Sequence, residues 1–208
     1  MVHSPGALLL HFVSGKSDQV QFRHDRMTGE TIRINVSSNG TASNSVADDD
    51  FYPSISIDGN RVVFSSKATN LVPDDKNGQQ DVFMREVAAG TTTLVNLKKT
   101  DPMEGGAGAC ASISGSGRYV VFTANTTDFE GGDDGFTDVY RRDLHLNETR
   151  LVSRPWTNKQ IDGASGSPSV TPDGRYVVFR SAATTLVAAD VSFPATRTAR
   201  PTSLCGIA

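Results

Sequence analysis

The stretch SPSVTPDGRYVVFRS, residues 167–181, decides the fold. A short run ends in Asp173-Gly174, a dipeptide that supplies the left-handed backbone of a tight hairpin turn. The turn leads into Val177, Val178 and Phe179. Successive side chains of a strand point to opposite faces, so consecutive apolar residues predict a strand buried on both of them. Nearly the same phrase stands earlier in the chain, as YPSISIDGNRVVFSS from Tyr52 and CASISGSGRYVVFTA from Cys110.

The copies keep a fixed step. The turn glycines Gly59, Gly117 and Gly174 lie 58 and 57 residues apart. A second phrase, DVFMREVAAGTTTLVN from Asp81, returns as DVYRRDLHLNETRLVS from Asp138, again 57 residues on, and a weaker copy, VQFRHDRMTGETIRINVS, precedes them from Val20. Two phrases that share one period mark an internal repeat. Each unit offers four short strands, in the middle unit over 111–114, 118–124, 137–144 and 148–153. No long 3.6-residue periodicity appears, so the chain reads as all-β.

A sandwich strand alternates apolar and polar residues, whereas a blade packed between two like blades hides both surfaces. The triplets Val62-Val63-Phe64, Val120-Val121-Phe122 and Val177-Val178-Phe179 therefore predict a β-propeller of radially repeated four-stranded blades. The units run as a partial first blade over 8–36, blades over 52–97 and 110–153, a partial blade over 167–187, and an irregular tail over 191–208. That makes about three blades where closed propellers have about 4–8. Three explanations stay open: a fragment of a longer propeller, a half-propeller completed by a second copy, or a truncated reading frame with a scrambled end.

The phrases P-S-I-S-x-D-G-R-Y-V-V-F and D-V-F-x-R-D…G-T-T-T-L-V-S resemble the TolB-like β-propeller repeat, a family whose related forms include the propellers of tricorn protease and of prolyl oligopeptidases. The resemblance covers roughly residues 20–190. It implies protein or peptide binding at loops and a central channel, a periplasmic or extracellular location, and no catalytic residue carried over. Ser116 departs from the pattern where its neighbours have a turn Asp, and the last unit lacks its outer strands.

Composition narrows the function classes. A chain of 208 residues with a formal charge of −3 and a pI near 5.8 lacks the Lys/Arg excess of a phosphate-tracking surface, so nucleic acid is not expected as a partner. No apolar run approaches the length of a bilayer span, and the patch over 7–13, broken by His11, reads as a strand remnant rather than a leader. Cys110 and Cys205 have no metal-ligand spacing; one bridge between them is allowed, but no disulfide framework is written.

Two groups of residues are candidate sites. The loops VPDDKNGQQDV and EGGDDGFTDV place Asp75, Asn77 and Asp81, and Asp133, Asp134 and Asp138, in a partial imitation of oxygen-rich Ca²⁺ loops; the structural alternative is an Asx turn with a strand-capping Asp. Asp48, Asp49 and Asp50 with Phe51 and Tyr52 form an acidic, aromatic loop that could present a partner-binding tip. Catalytic signals are missing. The histidines at 3, 11, 24 and 145 have no metal-ligand spacing, and GASGS from Gly163 lacks the second glycine of a nucleophile elbow. The expectation is a non-enzymatic, cofactor-free binding or scaffold module, with possible Ca²⁺. The alternatives are a propeller fragment of a prolyl-oligopeptidase-like hydrolase and a calcium-stabilised extracellular repeat protein.

Overall fold

The computed structural model describes residues 20–45, 52–73, 75, 77–97, 108–125, 129, 135–155 and 161–187. Among the described residues, twelve strands fall into four antiparallel meanders. The first is a hairpin, β1 (Phe22–His24) with β2 (Thr31–Arg33). The second is a four-stranded sheet in chain order, β3 (Ser54–Ile55), β4 (Arg61–Ser66), β5 (Asp81–Glu86) and β6 (Thr91–Leu94). The third repeats it with β7 (Gly108–Ile113), β8 (Tyr119–Ala124), β9 (Asp138–Asp143) and β10 (Glu148–Leu151). The fourth is the hairpin of β11 (Ser165–Val170) and β12 (Val177–Ser181).

These sheets stack as blades. Val63 and Val82 of the second sheet share one core with Ala111, Ile113, Val120 and Phe122 of the third, and β11 packs in turn against β7, β8 and β9. Val62, Val63, Val120 and Val121 are all at 0% exposure, so adjacent residues on opposite faces of one strand are both covered, as the apolar triplets require. Each fully buried Val is worth roughly 1.5–3 kcal/mol, and for Val63 and Val120 the core that buries them is shared between the two blades. Cross-strand aromatics register the second strand on the third. Phe64 stacks on Phe83 at 5.8 Å and Phe122 on Tyr140 at 6.0 Å, with Phe129 edge-on to Tyr140 at 5.0 Å. The described residues thus form an open arc of a β-propeller: two complete blades between two half-blades.

The turn chemistry is as the sequence implies. Gly59, Gly117 and Gly174 take φ of 70°, 71° and 75°, the left-handed region that glycine enters without a Cβ penalty. Asp58 secures its turn by accepting from Asn60 N and Ser56 Oγ. In the middle blade the Ser116 hydroxyl takes that place, 3.0 Å from Ser114 Oγ and 3.4 Å from Arg118 N. The departure from Asp keeps the function of the turn.

Two expectations need correction. Val178 is 72% exposed, and Val177 and Phe179 are only half-buried, because β12 has a described neighbour, β11, at one edge only and no described blade beyond it. The first strand of the middle blade begins at Gly108 rather than 111, since a bulge between Ala109 and Ser112 carries Cys110 at φ 51° and lengthens the pairing with β8. Cys110 is disulfide-bonded; the chain's other cysteine, Cys205, and the tail over 191–208 lie outside the described residues.

Candidate functional site

A meander places its first and third connections at one end of the blade and its second at the other. The first and third are tight turns; the second, over 67–80 and 125–137, is long. Hydrogen bonds bring the tight turns of neighbouring strands together. Val87 N donates to Asn60 O at 2.8 Å and Leu144 N to Arg118 O at 3.0 Å within blades, while Ile57 N donates to Gly115 O at 2.9 Å and Ser116 N to Pro172 O at 3.0 Å between blades. The arc therefore has a tight-turn end and a long-loop end.

At the long-loop end the sequence placed calcium ligands. Asp81 is fully buried at the start of β5, and its two oxygens accept from Asn77 Nδ2 at 2.9 Å and Asn96 Nδ2 at 2.7 Å. Asn96 Oδ1 in turn accepts from Val82 N at 2.8 Å, closing a ring that holds the third strand to the end of the fourth. Asp138 repeats the device with Ser153, whose hydroxyl donates to Asp138 at 2.7 Å and accepts from Val139 N at 3.0 Å. Asn35 does the same for Gln21 N at 3.3 Å. Asn96, Ser153 and Asn35 were not singled out from the sequence, although each stands 15 residues after the start of its repeated phrase. Asp75 is buried in the same loop. Asp133 and Asp134 lie outside the described residues, and the described ones contain no group of three or more His, Cys, Asp or Glu able to hold a metal ion. Of the proposed partner-binding tip, Asp48, Asp49, Asp50 and Phe51 lie outside the described residues; Tyr52 is described and is exposed.

The tight-turn end carries a different chemistry. Arg61 Nη2 meets Glu86 at 3.1 Å and also donates from Nη1 to Gly117 O of the next blade at 3.0 Å. Arg118 grips both oxygens of Asp143, at 2.8 Å from Nη2 and 3.0 Å from Nε, and lies 5.0 Å from the centre of the Tyr119 ring, with Arg141 at 4.9 Å. The Arg118 guanidinium, with the Leu146 and His145 amides, holds the Asp143 carboxyl far below the usual carboxylate range. The Ser56 hydroxyl and Asn60 amide lower Asp58, the Thr171 hydroxyl and Arg175 amide lower Asp173, and the Met27 and Thr28 amides lower Asp25. At the other end Thr184 and Thr185 pull Asp162 down to about 2.

Every carboxylate with a resolved shift is thus held in its charged form, the opposite of what a general acid needs. Between these charges stand Met27, Ile57, Leu146 and Tyr176, each well exposed and each on a tight turn or beside one. The arrangement offers apolar contacts set among fixed, paired charges. Among the described residues no helix is long and apolar enough to cross a membrane.

Comparison with known proteins supports the fold. The chain is similar to the crystal structure of TolB from Acinetobacter baumannii, with a TM-score of 0.52 and 16% identity, over 81% of this chain and 33% of that one. It also matches the crystal structure of the tricorn protease, with a TM-score of 0.49 and 11% identity, over 83% of this chain and 14% of that one. The chain therefore spans about a third of the length of the TolB chain. No family model and no curated protein matches it.

Proposed function

We propose that this TolB-like propeller arc is a non-enzymatic binding or scaffold module that takes a protein or peptide at its tight-turn end. The observation that carries the reading is the gathering of Met27, Ile57 and Leu146, all exposed, onto one end of the blades. Exposed apolar residues scattered singly are ordinary, but the repeat brings these to one side, among guanidinium and carboxylate groups already fixed by their own partners. Such a surface binds with little ordering cost, because the groups are preorganised. A periplasmic or extracellular setting belongs to the same proposal and rests on the resemblance of the repeat phrases to the TolB-like family.

Panning a displayed peptide library against the chain tests this. Enriched peptides should bind the parent and lose roughly tenfold or more in affinity to Ile57→Asp and Leu146→Asp, exposed substitutions expected to leave stability within about 0.5 kcal/mol. Failure to enrich any peptide, or peptides indifferent to both variants, would overturn the site. Cleavage of the bound peptides would overturn the non-enzymatic reading.

A further inference from the structure

The two half-blades are complementary. The β11–β12 hairpin supplies the first and second strands of a blade, and β1–β2 supplies the third and fourth. Among the described strands, β12 has no partner at the edge where β4 has β5 and β8 has β9, and β1 has none where β5 has β4. A strand edge with unpaired N–H and C=O groups is a template for another chain. The edge alone identifies no occupant; the side chains along it do.

Transferring the β8–β9 register to β12 and β1 sets Tyr176 opposite Asp25, Val178 opposite Arg23, Phe179 opposite Phe22 and Arg180 opposite Gln21. Each pairing fits. Arg175 occupies the position of Arg61 and Arg118, and Asp25 that of Glu86 and Asp143. Asp25 caps its turn through Met27 N and Thr28 N just as Asp143 does through His145 N and Leu146 N, yet its guanidinium neighbour is Arg23 at 3.8 Å, against Arg118 at 2.8 Å for Asp143. Arg175, for its part, lies over its own Tyr176 at 4.9 Å and forms no ion pair among the described residues. Arg23 stands where Arg141 does, and Arg141 stacks on Tyr119, the counterpart of Tyr176.

The fourth pairing is independent of the rest. In the complete blades this position holds Ser65 with Val82 and Thr123 with Val139. In the half-blades both members change together, to Arg180 and Gln21. Gln21 is 4% exposed and its Oε1 is buried without a hydrogen-bond partner, while Arg180, a donor, faces solvent. A buried unsatisfied acceptor costs about 1–3 kcal/mol, and a guanidinium from an incoming β12 would satisfy it.

We propose that a second copy of this chain seats its β1–β2 hairpin on the edge of β12 that no described strand occupies, reciprocally, so that two chains close one ring. The described residues of each chain bring two complete blades and two half-blades, and the two composite blades bring the ring to six, within the range of about 4–8 seen in closed propellers. A two-fold axis relates the two seams and ends the assembly at two chains. In each seam Arg175 pairs with the partner's Asp25, Tyr176 lies under the partner's Arg23, and the blade that follows the partner's β2 covers Val178.

Light scattering on the 208-residue chain over a concentration series, paired with sedimentation velocity, tests the ring. The expected mass is twice the 22.2 kDa of one chain. Val178→Asp should return it to the single-chain mass with an unchanged far-ultraviolet spectrum, because the residue is exposed in the isolated arc. Arg175→Asp and Asp25→Arg should each weaken association roughly tenfold or more through like-charge contact, and the double variant should recover most of that loss. Because Asp25 also caps its own turn, the two charge variants are also melted in the Val178→Asp background to separate folding from assembly. A single-chain mass up to the highest soluble concentration would overturn the proposal, and so would residues 7–13 of the same chain occupying the β1 edge, which gives that same mass. A dimer indifferent to all three variants, a double variant no better than the singles, or an open polymer would also overturn it.

Discussion

Strands β8 and β12 carry the same Val-Val-Phe behind the same Arg-Tyr pair, and the molecule treats them differently. In β8 Val120, Val121 and Phe122 are wholly buried; in β12 the residue matching Val121 is Val178, 72% exposed. The Val-Val-Phe run itself does not separate them; the two strands differ only beyond it, where Thr123 of β8 is matched by Arg180 of β12. β8 has β7 and β9 at its edges and β11 across one face, while β12 has only β11 among the described strands. The apolar pattern records the surroundings a strand is built for, and neighbouring blades supply them.

The largest test of this contrast lies at the seam between the two regions. A Cβ on Gly174 would stand 1.9 Å from Tyr119 Cδ2, close to the root of a side chain already stacked with Arg118 and Arg141, and its φ of +75° adds strain. Gly174→Ala should cost about 3 kcal/mol or more in urea unfolding. Gly29→Ala, at φ +77° in open space, should cost only about 1–2 kcal/mol. Equal costs would mean that the β11–β12 hairpin does not press on β8.

Next in size comes the direct comparison. Val121→Ala should lose about 2 kcal/mol from lost burial and the cavity left behind. Val178→Ala should stay within about 0.5 kcal/mol when measured at dilution. Similar losses at both positions would break the radial account of the fold.

Smaller again is the carboxylate clamp. Asp143→Asn should lower the melting temperature at neutral pH by roughly 2–4 °C, the shift about 1 kcal/mol produces in a chain of this size. The sign with pH follows from the lowered carboxyl. The Arg118–Asp143 contribution is complete above the unfolded value near pH 4 and is lost as pH falls through the lower folded value. The melting curves of the parent and the variant should therefore converge in acid. Divergence in acid would show that the clamp is not what Asp143 provides.

The smallest expected effect is that of calcium. Both oxygens of Asp81 are taken by side-chain amides, so about 1 mM Ca²⁺, a concentration that saturates weak extracellular sites, should leave the melting temperature unmoved. A rise would mean that the long loops re-form around the ion.

What was legible in the sequence was local or periodic. The Asp-Gly and Ser-Gly turns, the apolar triplets and the 57-residue step gave the strands, their order and the radial stacking, because each depends on residues near one another or on exact repetition. The roles of Asn96 and Ser153 were not legible. They emerge only when the third and fourth strands are in register, although the 15-residue interval they share with Asn35 is a signal that could be sought. The exposure of Val178 was hidden for the reason given above: burial is decided by a blade that the strand's own residues do not describe. Cys110 in a left-handed bulge was hidden too, since its side chain offers no hint of that backbone. At the candidate site the acidic residues were found, but their partners, and hence the capping that occupies Asp81, required coordinates.

The hydrogen bonds from Ile57 N to Gly115 O and from Ser116 N to Pro172 O join blade to blade through main-chain atoms alone. A junction of that kind asks little of the residues it joins beyond room at Gly115, where a Cβ would stand 2.9 Å from Pro172 Cβ, so a duplicated unit inherits a working joint before any substitution has adapted it. Gene duplication could lengthen such an arc one blade at a time, leaving side chains at the rims free to diverge toward new partners.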